Sequence, residues 1–319
     1  MLKSRVAAAA FCGVLIASGS VHAQATIDNF GRIFQPGPWG MYFSAGAVVM
    51  QRSDPANGII VSNNPSTGVS FLNGRQFNFG WETGFDGTVG IRFLNTEAIE
   101  FRFMNLNSSA KNRMTTPGGF IGAGFTGPGG TLFDSDYDTK MRNFEVNWRH
   151  QFFDQLTFLA GVRQIAVQDT LDIQINTTVA RGKYDYRNHL TGAQIGVDWA
   201  LFNRTSPFQL NLVGKLGWYH LEADGGISEY QGAAQTFIGS FESQTRDSTW
   251  AGELGASAGY RLTQNILLRA GWQALYLDKV ALASNNAAYS RLNPSLLRGD
   301  AIRDTLVFQG FNFGATVSW

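Results

Sequence analysis

The chain has 319 residues, of which 15% are charged and 13% aromatic, with 37 glycines. Soluble domains carry about 25% charged residues, so this chain is charge-poor, and no apolar run approaches the roughly 18 residues of a membrane helix. The 25 basic and 24 acidic residues nearly cancel, which gives no support to nucleic-acid binding. If the chain spans a membrane it must do so as a closed barrel, the one alternative that satisfies every backbone group in lipid.

In chain order, residues 1–23 have the form of a cleaved signal peptide: basic Lys3 and Arg5, an apolar stretch from Val6 to Gly19, and the small-x-small site Val21-His22-Ala23. Cleavage there removes Cys12, the single cysteine, and with it disulfide and thiolate chemistry. Residues 24–38 form a polar lead-in, expected in the periplasm. Residues 39–319 form the predicted barrel.

Apolar and polar residues then alternate in ten runs, the period of a strand whose side chains point to opposite faces. The first is Trp39 to Gln51. The second, Trp81 to Leu94, sets Trp81, Phe85, Val89 and Ile91 against Glu82, Asp86 and Arg92. The third sets Ile99, Phe101 and Phe103 against Glu100 and Arg102. The fourth, Asp138 to His150, sets Phe144, Val146 and Trp148 against Asn143, Glu145 and Arg149. In the fifth, Leu156 to Gln168, Phe158, Ala160 and Val162 oppose Gly161 and Arg163, but Leu159 and Ile165 break the alternation. The sixth sets Ile195, Val197 and Trp199 against Gln194 and Asp198, and the seventh Leu216 and Trp218 against Lys215 and Gly217. The eighth sets Trp250 and Leu254 against Glu253 and Arg261, and the ninth Leu268 and Trp272 against Arg269 and Gln273. The last, ending at Trp319, sets Phe311, Phe313, Ala315 and Val317 against Asn312, Gly314, Thr316 and Ser318.

Long connections alternate with short ones. The long ones follow the first run and cover Asn107–Tyr137, Asp169–Asn188, Glu222–Arg246 and Asp278–Arg303. This pattern predicts an all-β, transmembrane, antiparallel up-and-down β-barrel of ten strands, with short periplasmic turns, long external loops and a place in a Gram-negative-type outer membrane. A further hairpin within Gly58–Leu72 makes twelve. All 8 tryptophans fall on the apolar register. Trp39, Trp148, Trp199 and Trp319 are expected in a lower aromatic belt, and Trp81, Trp218, Trp250 and Trp272 in an upper one.

The blocks Asn143–Arg149, Leu159–Arg163, Gln168–Leu171, Asn188–Gly196 and Lys215–Gly217 resemble the β-barrel porin family 7 of bacterial outer-membrane proteins. The resemblance implies an outer-membrane barrel with a porin-like role. The closing strand resembles those of outer-membrane barrels generally, which implies outer-membrane lipid as surroundings and the barrel-insertion machinery as a partner through the strand ending at Trp319.

Glu82, Asp86, Arg92, Glu100, Arg102, Glu145, Arg149, Arg163, Asp198, Lys215, Glu253, Arg261 and Arg269 share the inward register, with Glu145 and Arg163 as the first candidate pair. They either line a narrow conducting lumen for small polar solutes or pair to fill it. A filled barrel would instead anchor surface loops for adhesion or envelope structure. Gly122-Ala123-Gly124-Phe125-Thr126-Gly127 matches a dinucleotide-loop spacing but lacks the following helix. His189 and His220, near Asp185, Glu222 and Asp224, resemble the rim groups of ten-stranded outer-membrane proteases, but the paired Asp motifs are missing. No cofactor, metal-ligand set, catalytic set or nucleic-acid partner is predicted.

Overall fold

A computed structural model describes residues 26–27, 33–34, 40–63, 70–93, 96–122, 125–175, 180–201, 207–232, 234–290 and 300–319. The predicted signal peptide and Trp39 lie outside the described residues. Of the lead-in, Thr26–Ile27 pairs with Ile33–Phe34.

Ten antiparallel strands close into one barrel. They are β1 (Gly40–Arg52), β2 (Glu82–Arg92), β3 (Glu97–Thr115), β4 (Leu132–Phe153), β5 (Leu156–Ile175), β6 (Ala180–Ala200), β7 (Phe208–Gln231), β8 (Thr236–Arg261), β9 (Ile266–Ala281) and β10 (Arg303–Ser318). Each pairs with the next, and β10 returns to β1 in the register Phe311↔Val49. The seam continues to the chain end, where Trp319 and Met41 exchange two backbone hydrogen bonds of 3.0 Å. The hairpin expected within 58–72 forms, because Ile59–Ser62 pairs with Ser70–Asn73. It does not join the barrel wall but forms a separate four-stranded sheet with Phe120–Gly122 and Phe125–Gly127, so the barrel has ten strands.

The main correction concerns the long loops. Much of Asn107–Tyr137, Asp169–Asn188 and Glu222–Arg246 is strand: β7 has 24 residues and β8 has 26, where about 9–11 suffice to cross the hydrocarbon. The extra length escaped the sequence reading because the hydrophobic stripe changes face along one continuous strand. In β4, Phe144, Val146 and Trp148 face outward, while Asn143, Glu145 and Arg149 face inward and are buried. Past Asn143 toward the outside, Lys140 and Arg142 are exposed, while Tyr137 and Met141 are fully buried inside. The surroundings of the outer wall change from lipid to water at that height, so its favoured side chains change from apolar to charged. The inner wall changes the opposite way.

The same switch explains Ile165, which is fully buried at the base of the apolar interior. Leu159 is a local exception, an inward apolar residue among polar neighbours. Outward apolar side chains form a broad exposed band that includes Phe101, Val162, Ile195 and Leu254. Such a band on a closed barrel is the lipid-facing surface of an outer-membrane protein. The seven described tryptophans all lie on the outer surface, exposed by 38% (Trp250, Trp272) to 64% (Trp218). Trp250 stacks on Tyr276 beside Trp218, and Trp81 stacks on Phe311. Trp272 is the cross-strand partner of the same Phe311.

Candidate functional site

The lumen is the one place where buried charge concentrates, and it is layered. The central cluster draws on six strands. Glu145 of β4 and Arg163 of β5 are direct cross-strand partners and approach to 3.5 Å. Arg163 also reaches Glu253 of β8 at 2.8 Å. Lys215 of β7 binds Glu145 at 2.8 Å and Glu253 at 3.5 Å. Arg102 of β3 takes Asp86 of β2 at 2.8 Å, Glu145 at 3.3 Å and Glu253 at 2.5 Å. Neutral groups complete the shell, since Asn143, Asn147 and Gln194 all donate to Glu145. Three bases thus face three acids. Attraction between such charges offsets desolvation only when the remaining lone pairs and protons are also bonded, and around Glu145 the amides supply those bonds.

Toward the periplasm lies a second cluster. Arg149 joins Glu100 and Asp198, each at 3.0 Å, and the Tyr42 hydroxyl donates to Glu100 at 2.6 Å. The Tyr42 ring lies over Gly90, where an added Cβ would fall 1.9 Å from the ring carbon Cζ. Gly90→Ala should therefore displace Tyr42 and cost about 1–3 kcal/mol, the usual range for overpacking. Urea unfolding in detergent micelles checks this, and a loss within error of zero contradicts it.

Of the other predicted lumen charges, Arg92 is buried near the periplasmic end of β2, and Arg261 is partly exposed at that end of β8. Arg269 donates to the Ser44 hydroxyl. Glu82 sits half-buried at the external end of β2, outside both clusters.

The external half holds a third site, which sequence reasoning missed. Arg52 and Asp169 form an ion pair of 2.7 Å with both side chains fully buried. Thr139 and Tyr137 also donate to Asp169, at 2.6 Å each, and the guanidinium lies 4.3 Å from the Phe79 ring centroid. Asp169 further accepts the backbone N–H of Ala283 at 2.8 Å, the first residue of the short helix α1 (Ala283–Ser290). A carboxylate there satisfies an orphan helix donor. Two amides fix the flanking chain: Asn188 both accepts from and donates to the Ala281 backbone, and Asn286 does the same with Ile302. The available signal was register, because Val48, Met50 and Arg52 run inward together, as do Arg163, Ile165, Val167 and Asp169.

Around this pair the lumen is packed with apolar side chains. Phe77 and Phe79 pack edge-on against Tyr137. Ile60, Leu72, Leu171, Tyr184, Leu221, Leu282, Ala287 and Phe308 belong to the same buried cluster. Residues 53–63 and 70–80, together with α1, therefore occupy the external lumen as a plug.

The rim groups do not assemble into a site. His189, His220, Glu222 and Asp224 are all exposed on the outward face, with His220 3.8 Å from Glu222. His150 bonds Glu97 at 2.6 Å near a periplasmic turn. Gly122 and Gly127 belong to two short paired strands, and Ala123 and Gly124 lie outside the described residues. Among the described residues no group of acids, histidines and cysteines has a metal-holding arrangement.

Above the membrane, Asp247 accepts the Ser248 backbone N–H at 2.7 Å and pairs with Arg303 and with Lys279, the latter at 3.2 Å. The Ser248 bond and the two cations hold its carboxyl down at about 2. A depressed folded value contributes stability above the ordinary carboxylate range, and that stability is lost as pH falls through about 2. Carboxyl NMR of the folded barrel should show the Asp247 midpoint near 2, moving toward the normal value in Arg303→Gln. An ordinary midpoint in the unsubstituted protein contradicts the clamp.

No protein-family model matches the chain, and no curated protein matches it. Solved structures do. The outer membrane protease OmpT from Escherichia coli aligns at 12% identity over 88% of this chain and 96% of its own, with a TM-score of 0.47. The translocator domain of the autotransporter NalP from Neisseria meningitidis aligns at 12% identity over 87% of this chain and 88% of its own, with a TM-score of 0.42. The toluene transporter TbuX from Ralstonia pickettii aligns at 10% identity over 88% of this chain and 89% of its own, with a TM-score of 0.34. These are outer-membrane barrels of different activities, and at such identities none of those activities passes to this chain.

Proposed function

We propose that this protein is a filled outer-membrane barrel that anchors a rigid extracellular wall for surface contact or envelope structure. The observation that carries the reading is the packed external lumen, in which residues 70–80 and α1 bury Phe77, Phe79 and Ala287 in one cluster with the inner wall. The extended strands support it, because they raise a charged outer surface above the lipid band on ordered β-structure.

Planar-bilayer recording of the refolded protein tests it. The expected result is no conductance steps, with steps appearing when residues 54–78 are replaced by a short Gly/Ser linker. Sustained conductance by the unmodified protein overturns the reading. A second reading, passage of small polar solutes, is favoured by the resemblance to porin family 7 and by the charged mid-membrane lumen. It requires the plug to leave the barrel. In either case β10, ending at Trp319, is the proposed recognition segment for the insertion machinery, and no catalytic role is proposed for any lumenal group.

A further inference from the structure

The periplasmic half of the lumen, unlike the external half, is not filled. A cavity of about 160 Å³ opens there, roughly the size of one that holds benzene. Its room comes from β10, whose inward face carries only Asn312, Gly314, Thr316 and Ser318. The first three line the cavity.

Three observations describe what this cavity would hold. The first is charge. The cavity walls carry Arg102, Arg149, Lys215 and Arg269 against Asp86, Glu100, Asp198 and Glu253, an even balance in which the first three bases are each ion-paired with a carboxylate. The second is Arg269 itself. It lines the cavity and donates to the Ser44 hydroxyl, and among the described residues it makes no ion pair. The third is a pair of buried polar atoms on the same walls. Thr316 Oγ1 and Asn211 Oδ1 have no hydrogen-bond partner, although Thr316 is only 3% exposed and Asn211 only 7%. Buried groups of this kind are costly unless something bonds them.

We infer that this cavity is a binding site for a small monovalent oxyanion, a carboxylate or a phosphate, entering from the periplasmic side. The Arg269 guanidinium is its counter-charge and presents the planar donor fork that suits both ligand classes. The Thr316 hydroxyl donates to the ligand. The Asn211 carbonyl oxygen accepts from a ligand hydroxyl or from a protonated phosphate oxygen. The cavity reaches the central charge cluster, whose Asp86, Arg102, Lys215 and Glu253 also line it, but not the plug, so the inference does not depend on whether the barrel conducts.

Calorimetric titration of the full-length refolded barrel with sodium acetate and with sodium phosphate tests it, with methylammonium chloride as the cationic control. The expected result is saturable binding of at least one anion and none of methylammonium. Arg269→Gln should weaken that binding at least tenfold, while Arg269→Lys retains most of it. Acetate alone binding assigns a carboxylate, and phosphate alone binding assigns a phosphate. Should Arg269→Gln fail to fold, Ser257→Leu provides a second arm: it fills the cavity from its wall, keeps the arginine, and should abolish binding. Absence of saturable anion binding, or binding unchanged in both Arg269→Gln and Ser257→Leu, overturns the inference.

Discussion

Replacing Glu145 with alanine should destabilise the barrel by about 3–5 kcal/mol, the cost of removing one partner from a buried charge cluster. Glu145 is fully buried and accepts from Asn143 at 2.9 Å, Asn147 at 3.1 Å and Gln194 at 2.9 Å while holding Arg102, Arg163 and Lys215. Without it, three cations share Glu253 and Asp86. Glu145→Gln keeps the shape and should recover part of the loss through its remaining hydrogen bonds. Urea unfolding in lipid vesicles, followed by tryptophan emission, gives the difference. A change below about 1 kcal/mol would mean that the cluster acts as a set of solvated charges, because exposed pairs are worth no more than that.

Asp169→Ala should cost a similar amount, about 3–5 kcal/mol, and should also loosen the plug. It strands the Arg52 guanidinium in an apolar interior, removes two hydroxyl contacts, and releases the Ala283 N–H at the start of α1. Hydrogen exchange should therefore rise in α1 and in residues 53–80 more than in the membrane-level strands. The double replacement Arg52→Met with Asp169→Leu removes both charges together, and it should recover most of the stability, because a buried pair is often matched by apolar residues of similar volume. If the double variant is no more stable than Asp169→Ala, hydrogen bonding to Thr139, Tyr137 and α1 outweighs the charge term.

The membrane-level barrel was legible in the sequence because one rule holds there throughout: apolar outward, polar inward, period two. That rule located the inward positions of Glu145, Arg163, Lys215 and Glu253 and their neighbours. It could not show which charges meet, since Arg102 and Glu253 lie far apart in sequence and touch only because the barrel is narrow. The external half was misread for a specific reason. Asp134 and Asp136 look like loop when apolar residues are expected to face outward, yet they form the outer wall of a strand whose inner face is Phe133, Ser135 and Tyr137. Arg52 and Asp169 went unnoticed with it, as charges that seemed to lie outside the barrel. The plug itself, residues 53–63, 70–80 and α1, carries no periodic signal that would place it inside a lumen.

The central claim is that the external lumen is packed, and cysteine accessibility tests it most directly. The chain has a single cysteine, Cys12, within the predicted signal segment, so the protein without residues 1–23 offers a thiol-free background. Ser135→Cys and Leu171→Cys place thiols on the buried inner wall, where the native residues are 1% and 0% exposed. Asp138→Cys places one on the exposed outer wall of the same region. With a membrane-impermeant maleimide, the expected result is rapid labelling at position 138 and protection at 135 and 171 until the protein is unfolded. Labelling of the two inner positions as fast as position 138 in the folded barrel would contradict the packed lumen.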